Sequence, residues 1–215
     1  PAERTARRGD HHRHPHDTWV PRMLYLCMRL NKQYEQALAG YEGYFANNPN
    51  NATVQRSIAV TRAYLEESRM HAVIDAMELA RKDLENAIQA MAQAKDNGDQ
   101  AAALEWDAKI PGLREKADSL QQDFNAKREV ARQAWQALLD QEEGDDDLAK
   151  AKLVYLDVLD LLANRRYKEA YAKLDYARYN ADELWEEFSE LMIDIRLRDG
   201  ATLNVSEQQA LNRRH

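Results

Sequence analysis

The chain has 215 residues, a formal net charge of −7 and 31% charged residues. This acidic balance argues against a general nucleic-acid binder, because phosphate contacts need concentrated Lys and Arg. One cysteine excludes an intramolecular disulfide framework, and no apolar run reaches the roughly 20 residues that span a bilayer. The few glycines and prolines leave long stretches of helix-forming residues, which predict an all-α fold.

Residues 1–21 are predicted to form an extended N-terminal arm, in which Trp19 and Val20 are the main apolar residues. The arm is rich in Arg and poor in acidic residues, as the remnant of a cleaved transit peptide is. We therefore expect a mitochondrial protein, with a soluble cytoplasmic or periplasmic one as the alternative. Four histidines also lie in the arm: His11, His12, His14 and His16. We interpret them as a polar surface tract, because no Cys or carboxylate partner stands at a metal-ligand spacing.

Residues 22–69 are predicted to form one or two short helical hairpins. The apolar face of the first helix consists of Met23, Leu24, Leu26, Cys27 and Leu30. Within this face, Cys27 is expected to be a small buried core side chain. Polar residues 31–33 and 66–69 predict turns, and Pro49 ends the second helix.

The second of these helices resembles the second helix of a tetratricopeptide repeat. Tyr34 begins it, Ala37 follows three residues later and Tyr41 four residues after that. In that family the small residue lets two helix axes approach closely, while aromatic residues fill the space beside it. The pattern returns near the end of the chain at Tyr167, Ala170, Leu174 and Ala177. The resemblance implies tetratricopeptide-like helical hairpins at both ends of the chain.

Residues 70–142 are predicted to form a long antiparallel helical hairpin inserted between these ends. Apolar residues recur at steps of three and four, which is the spacing of helices that pack side by side. On the first arm they are Val73, Met77, Ala80, Leu84, Ala87, Met91 and Ala94. On the second arm they are Leu113, Ala117, Leu120, Phe124, Ala131, Ala134 and Leu138. The bend is predicted within residues 96–112. It starts with a turn at residues 96–99, continues as a short helix at residues 101–109 and ends with a break at Ile110, Pro111 and Gly112.

Residues 148–199 are predicted to form the C-terminal tetratricopeptide-like helices, followed by a polar tail at residues 200–215. Residues 148–163 are apolar nearly all round, which predicts a central core helix. We interpret the acidic run before them as a solvated loop in which Asp147 caps that helix. Asp182 is predicted to cap the last helix, whose apolar face includes Trp185 and Phe188.

The sequence contains no phosphate-cradling glycine loop, nucleophile elbow or Cys-rich metal pattern. Glu67 and His71, four residues apart, are the nearest approach in the sequence to the Glu-x-x-His pairs of a di-iron bundle. Because no second such pair accompanies them, we interpret them as an ordinary pair on a helix surface. We predict that the protein is not an enzyme, with no catalytic residues, cofactor, metal or small-molecule substrate.

The leading hypothesis is a non-enzymatic scaffold or accessory structural subunit that binds other protein subunits of a large assembly. Its helical-repeat folding is similar in kind to that of accessory subunits of mitochondrial machines, such as the one on the ATP synthase of euglenozoan protists. The expected partner-binding residues combine arginines with large aromatics, which dominate interface energies. They are Arg4, Arg7, Arg8, Arg13, Trp19, Trp185 and Phe188. The alternative hypothesis is a pentatricopeptide-like RNA-binding protein, which would need tandem units and a basic groove.

Overall fold

The computed structural model describes residues 16–141, 146–178 and 184–200. These residues form helices and no strand, which confirms the all-α prediction. The helices are α1 (His16–Leu30), α2 (Tyr34–Ala46), α3 (Ala52–Asp96), α4 (Gln100–Gln141), α5 (Asp147–Ala163), α6 (Tyr167–Arg178) and α7 (Trp185–Arg198). The chain divides into two compact units, Pro1–Arg62 and Ala63–His215, and the boundary falls inside α3.

Helix α1 begins earlier than predicted. The extended arm was expected to reach residue 21, but the backbone is helical from His16 onwards. Pro21 lies inside this helix, where it removes one backbone hydrogen bond. The prediction of an extended arm is therefore wrong for residues 16–21, and residues 1–15 lie outside the described part of the chain.

In the first unit, α1 and α2 approach closely at two small residues of α2. Ala37 is fully buried, and a Cβ atom placed on Gly40 would lie 2.3 Å from the ring of Tyr25. The Tyr25 ring also meets Tyr41 edge-on, with 5.3 Å between the ring centroids. The missing side chain of Gly40 therefore provides the space that the Tyr25 ring occupies.

Cys27 is exposed, so the prediction that it is a buried core residue is wrong. Tyr25 supplies the α1 contact with α2, and residue 27 lies about 200° further round the helix. That rotation turns Cys27 away from α2. The neighbouring apolar residues Met23, Leu24 and Leu30 are exposed as well.

The close approach at Gly40 gives a testable prediction. Gly40→Ala should destabilise the first unit by about 1–3 kcal/mol, because the new methyl group must displace the Tyr25 ring. Gly43→Ala is the matched control on the same helix, since nothing lies within 4 Å of its Cβ position. Alanine there should be neutral or stabilising. Urea denaturation followed by circular dichroism measures both, and equal stability of the two variants would refute the assigned α1–α2 packing.

Helices α3 and α4 run without interruption through two predicted breaks. The predicted turn at residues 66–69 is wrong because these residues, though polar, are compatible with helix, and the Ser68 hydroxyl donates to the Leu65 carbonyl at 2.8 Å. The predicted break at residues 110–112 is also wrong. Pro111 removes one backbone hydrogen bond, but α4 continues through it, and Ile110 and Ala117 on either side are buried. The chain reverses at residues 97–99, within the turn predicted at residues 96–99, and Gly98 there adopts a φ of 75°.

Many buried residues of the two long helices recur every seven positions. On α4 one row is Ala103, Ile110, Ala117, Phe124, Ala131 and Leu138, and Trp135 is also buried. On α3 one row is Ala63, Met70 and Met77, and another is Val73, Ala80, Ala87 and Ala94. A strict seven-residue repeat keeps one stripe of each helix directed toward its neighbour.

Two hydrogen bonds between α3 and α4 run in antiparallel register. The indole of Trp135 donates to Glu67 at 3.1 Å, and Arg81 donates to Gln121. Glu67 precedes Arg81 on α3, whereas its partner Trp135 follows Gln121 on α4, so the two helices run antiparallel.

Helices α5, α6 and α7 build the C-terminal core of the second unit. Its buried members include Val158, Ala170, Leu174, Phe188 and Ile195. The N-cap of α5 is Asp146, whose carboxylate accepts the amide of Ala149 at 2.9 Å, so the prediction that Asp147 caps this helix is wrong. A cap must precede the first helical residue, and Asp147 is already in the first turn. Asp182 lies outside the described residues.

Candidate functional site

The second unit contains a buried polar network that begins at Lys152 of α5. This side chain is 1% exposed, although it carries a charge. It lies on the same face of α5 as Ala149, Leu156 and Leu159, which are buried at helical spacing. Burying an unpaired ammonium group is very costly, so a lysine in this position needs compensating groups around it.

Glu67 of α3 is the main compensating group. It is 6% exposed, and its Oε1 atom accepts a hydrogen bond from the Lys152 ammonium at 2.9 Å. Its Oε2 atom accepts the indole N–H of Trp135 at 3.1 Å. Lys152 also donates to Glu187 of α7 at 3.5 Å. One buried cation therefore joins α3, α5 and α7, and the carboxylate that neutralises it is also bonded to α4.

Aromatic rings enclose the Lys152 ammonium. Its nitrogen lies 5.0 Å from the ring centroid of Tyr64 and 5.1 Å from that of Tyr155. The negative face of an aromatic ring attracts a cation, most strongly where water is excluded. Tyr64 in turn meets Trp135 edge-on, and Tyr155 stacks on Phe188.

His71 connects this network to the surface. Its Nε2 atom lies 3.1 Å from the hydroxyl of Tyr155 and 3.9 Å from Oε1 of Glu67. The His71 side chain is 40% exposed, whereas that of Glu67 is 8% exposed. The network is therefore shielded from solvent at Lys152 and exposed to solvent at His71.

The surroundings of Lys152 keep it protonated. Burial by itself lowers the pKa of a lysine, but the attraction of Glu67 and Glu187 outweighs burial here and raises the pKa above its ordinary value of 10.5. Burial also raises the pKa of Tyr155, and the nearby carboxylates Glu67 and Glu187 add to this rise. A lysine held in its charged form is a poor nucleophile, and it acts here as a fixed cation that ties helices together.

These two shifts predict a loss of stability in alkali. The folded state retains protons on Lys152 and Tyr155 that the unfolded chain releases near pH 10.5 and 10.0, their ordinary pKa values. The stability they contribute is therefore fully present below about pH 10 and decreases as pH rises above it, by about 1.4 kcal/mol per proton and pH unit. Urea denaturation between pH 8 and pH 11 measures this decrease. Tyr155→Phe should reduce this decrease in stability, and a pH-independent stability would contradict the assignment.

A groove of about 600 Å³ adjoins the solvent-exposed side of the network at His71. Its floor is formed by the apolar residues Ile74, Met77, Phe124, Leu159, Leu162 and Leu191. Its rim is formed by the charged residues Glu78, Arg81, Lys82, Glu85, Arg165 and Arg198. An apolar floor with a charged rim is the usual composition of a surface that binds another protein.

Two ion pairs account for four of these rim charges. Arg165 pairs with Glu85, and Arg198 pairs with Glu78 at 2.6 Å. Arg81 donates instead to two neutral acceptors, the Ala163 carbonyl at 2.6 Å and the side-chain oxygen of Gln121. Among the described residues, no carboxylate forms an ion pair with Arg81 or with the exposed Lys82. The groove therefore carries an excess of positive charge on a chain whose net charge is −7.

No family model, curated protein or solved structure matches the chain. The role of the groove must therefore be inferred from its geometry. No helix in the described residues is both long and apolar enough to cross a membrane. Within the same residues, no group of three or more His, Cys, Asp or Glu side chains is arranged to hold a metal ion. His11, His12 and His14 lie outside the described part of the chain.

The structure places one of the predicted partner-binding residues in the core. Phe188 is fully buried and stacks on Tyr155, so it cannot present its ring to another protein, and that prediction is corrected. Trp19 and Trp185 lie in α1 and α7, but their side chains are outside the described part. The predicted arginines also lie outside it: Arg4, Arg7, Arg8 and Arg13.

Sequence reasoning missed both Lys152 and the burial of Glu67. The signal was present, because Lys152 follows Ala149 by three residues and precedes Leu156 by four, which is the spacing of the buried face. Glu67 similarly lies between the buried Ala63 and Met70. A lysine and a glutamate that each interrupt an apolar helix face are a recognisable pattern for a buried ion pair.

Proposed function

We propose that this chain is a non-enzymatic helical scaffold that binds another protein and serves as an accessory structural subunit of a larger assembly. The observation that carries the proposal is the groove, with its apolar floor and its charged rim. Such a surface can bury apolar side chains of a partner while its rim fixes the orientation.

The dimensions of the groove favour a protein over a small molecule. Its lining residues on α3 extend from His71 to Glu85, a distance of about 21 Å along the helix. Its rim side chains are open to solvent, with Glu85 54% and Arg165 58% exposed. Small-molecule sites instead enclose most of the surface of their ligand.

The chemistry of the buried network supports a structural role. Lys152 is neutralised by Glu67 and held protonated, which suits a helix-joining cation better than a catalytic base. Its hydrogen bonds connect α5 to α3 and α7, which form walls of the groove. We infer that the network makes the groove rigid, which lowers the entropy cost of binding a partner.

We further propose that the assembly is mitochondrial and that the helical ends are tetratricopeptide-like. The Arg-rich composition of residues 1–13 supports the compartment. The complete burial of Ala37 and Ala170 supports the repeat-like packing, since both are small residues at expected helix crossings. Microscopy of the chain fused at its C-terminus to a fluorescent protein tests the location, and a signal that does not coincide with a mitochondrial marker would refute it.

Affinity purification with a floor variant tests the proposed function. The tagged full-length chain should recover a defined set of proteins from the cells that express it, and Ile74→Asn should lose them because the variant places an amide in the apolar floor. Leu79→Asn is the matched control, at a residue of α3 that is 58% exposed and does not line the groove. Melting curves of both variants establish that they are folded. Equal recovery with Ile74→Asn and wild type would contradict a role for the groove.

A further inference from the structure

We propose that the groove binds an acidic amphipathic α-helix of the partner. This inference rests on the proposed function and specifies the chemistry of the partner. Its main support is the arrangement of charge on the rim. Arg165 and Arg198 are already paired with carboxylates, whereas Arg81 and Lys82 are not paired with any carboxylate of the described residues.

Two hydrogen bonds fix the position of the Arg81 side chain. It is half-buried, and it donates to the Ala163 carbonyl in the last turn of α5 and to Gln121 of α4. The bond to Ala163 satisfies one of the carbonyls that the end of a helix leaves without an intrahelical partner. Arg81 therefore presents a fixed positive charge, and the adjacent Lys82 adds a flexible one at the rim.

The shape of the groove fits a helix. A helical partner lays residues at positions i, i+3, i+4 and i+7 into an apolar groove. The groove's length of about 21 Å on α3 matches about four turns of such a helix. Carboxylates on the flanks of this helix would reach Arg81 and Lys82, so an acidic helix gains attraction where a basic helix is repelled.

Peptide binding to the full-length chain tests the inference. The acidic probe is a synthetic 16-residue helical peptide with leucines at positions 1, 4, 8, 11 and 15 and glutamates on both flanks. The basic probe is the same peptide with every glutamate replaced by lysine. Fluorescence anisotropy should show binding of the acidic probe, weakened about tenfold by Lys82→Glu at low salt and less at high salt. Lys95→Glu on α3 makes the same charge change outside the groove and should leave the affinity unchanged.

A charge exchange completes the experiment. If rim charge selects the partner, Lys82→Glu should bind the basic probe more tightly than the wild-type chain does. Equal binding of both probes to the wild-type chain, equal effects of Lys82→Glu and Lys95→Glu, or no binding of the acidic probe would each overturn the inference. These outcomes are distinct from failure of the proposed function, which is measured by protein recovery with Ile74→Asn.

Discussion

Replacing Lys152 by alanine should lower the free energy of unfolding by about 3–5 kcal/mol, because it leaves the carboxylate of Glu67 buried without its cation. Glu67 would retain the Trp135 indole as a donor, but one hydrogen bond does not replace an ammonium group at 2.9 Å. Urea denaturation at pH 7, followed by circular dichroism, measures the loss.

Two further variants separate the ion pair from its surroundings. Lys152→Met together with Glu67→Leu should recover much of the lost stability, because an apolar pair of similar volume leaves no buried charge. Lys150→Ala is the exposed control, since Lys150 pairs with Asp147 at the surface and its loss should cost less than about 1 kcal/mol. If Lys152→Ala and Lys150→Ala were equally stable, the central position of Lys152 in the fold would be refuted.

Phe124→Ala should lower the free energy of unfolding by about 3–5 kcal/mol, because it removes a fully buried ring from the seven-residue row of α4. The ring also forms part of the floor of the groove, so the change should weaken partner binding as well. Thermal denaturation measures the first effect and the acidic-probe assay the second.

Val130→Ala supplies the control for this prediction on the same helix. Val130 is 47% exposed, and surface substitutions of this kind usually change stability by less than about 0.5 kcal/mol. A similar melting temperature for Phe124→Ala and Val130→Ala would mean that the buried row of α4 is wrongly assigned.

The seven-residue rows could be predicted from the sequence because their physical cause is local and periodic. Met77, Ala80 and Ala87 follow the a/d spacing and are buried, whereas Leu84 and Leu120, at the same predicted spacing, are only half-buried. The predicted turn at residues 66–69 failed for the opposite reason. Polarity at those positions indicated exposure, but these residues have no backbone feature that ends a helix. Polarity and helix termination are therefore separate signals, and between α3 and α4 the chain reverses at Gly98, which has a positive φ.

The candidate site could not be assembled from the sequence because its members come from distant parts of the chain. Lys152 and Glu67 are 85 residues apart, and Arg81 and Ala163 are 82 apart. Spacing along one helix shows which face a residue occupies, but not which helix covers that face. Glu67 and His71 looked like a surface pair for this reason, and the structure shows that Glu67 is buried beside Lys152.

Site-specific photocrosslinking in the cells that express the chain tests the central claim most directly. A benzophenone amino acid would replace Lys82 at the rim of the groove or, as the control, Lys95 on the same helix outside it. The proposed function predicts a covalent adduct with a second protein at position 82 and none at position 95, and mass spectrometry should map the adduct to an acidic, helix-forming segment. No adduct at position 82, or the same adducts at both positions, would contradict the claim that this groove binds a partner.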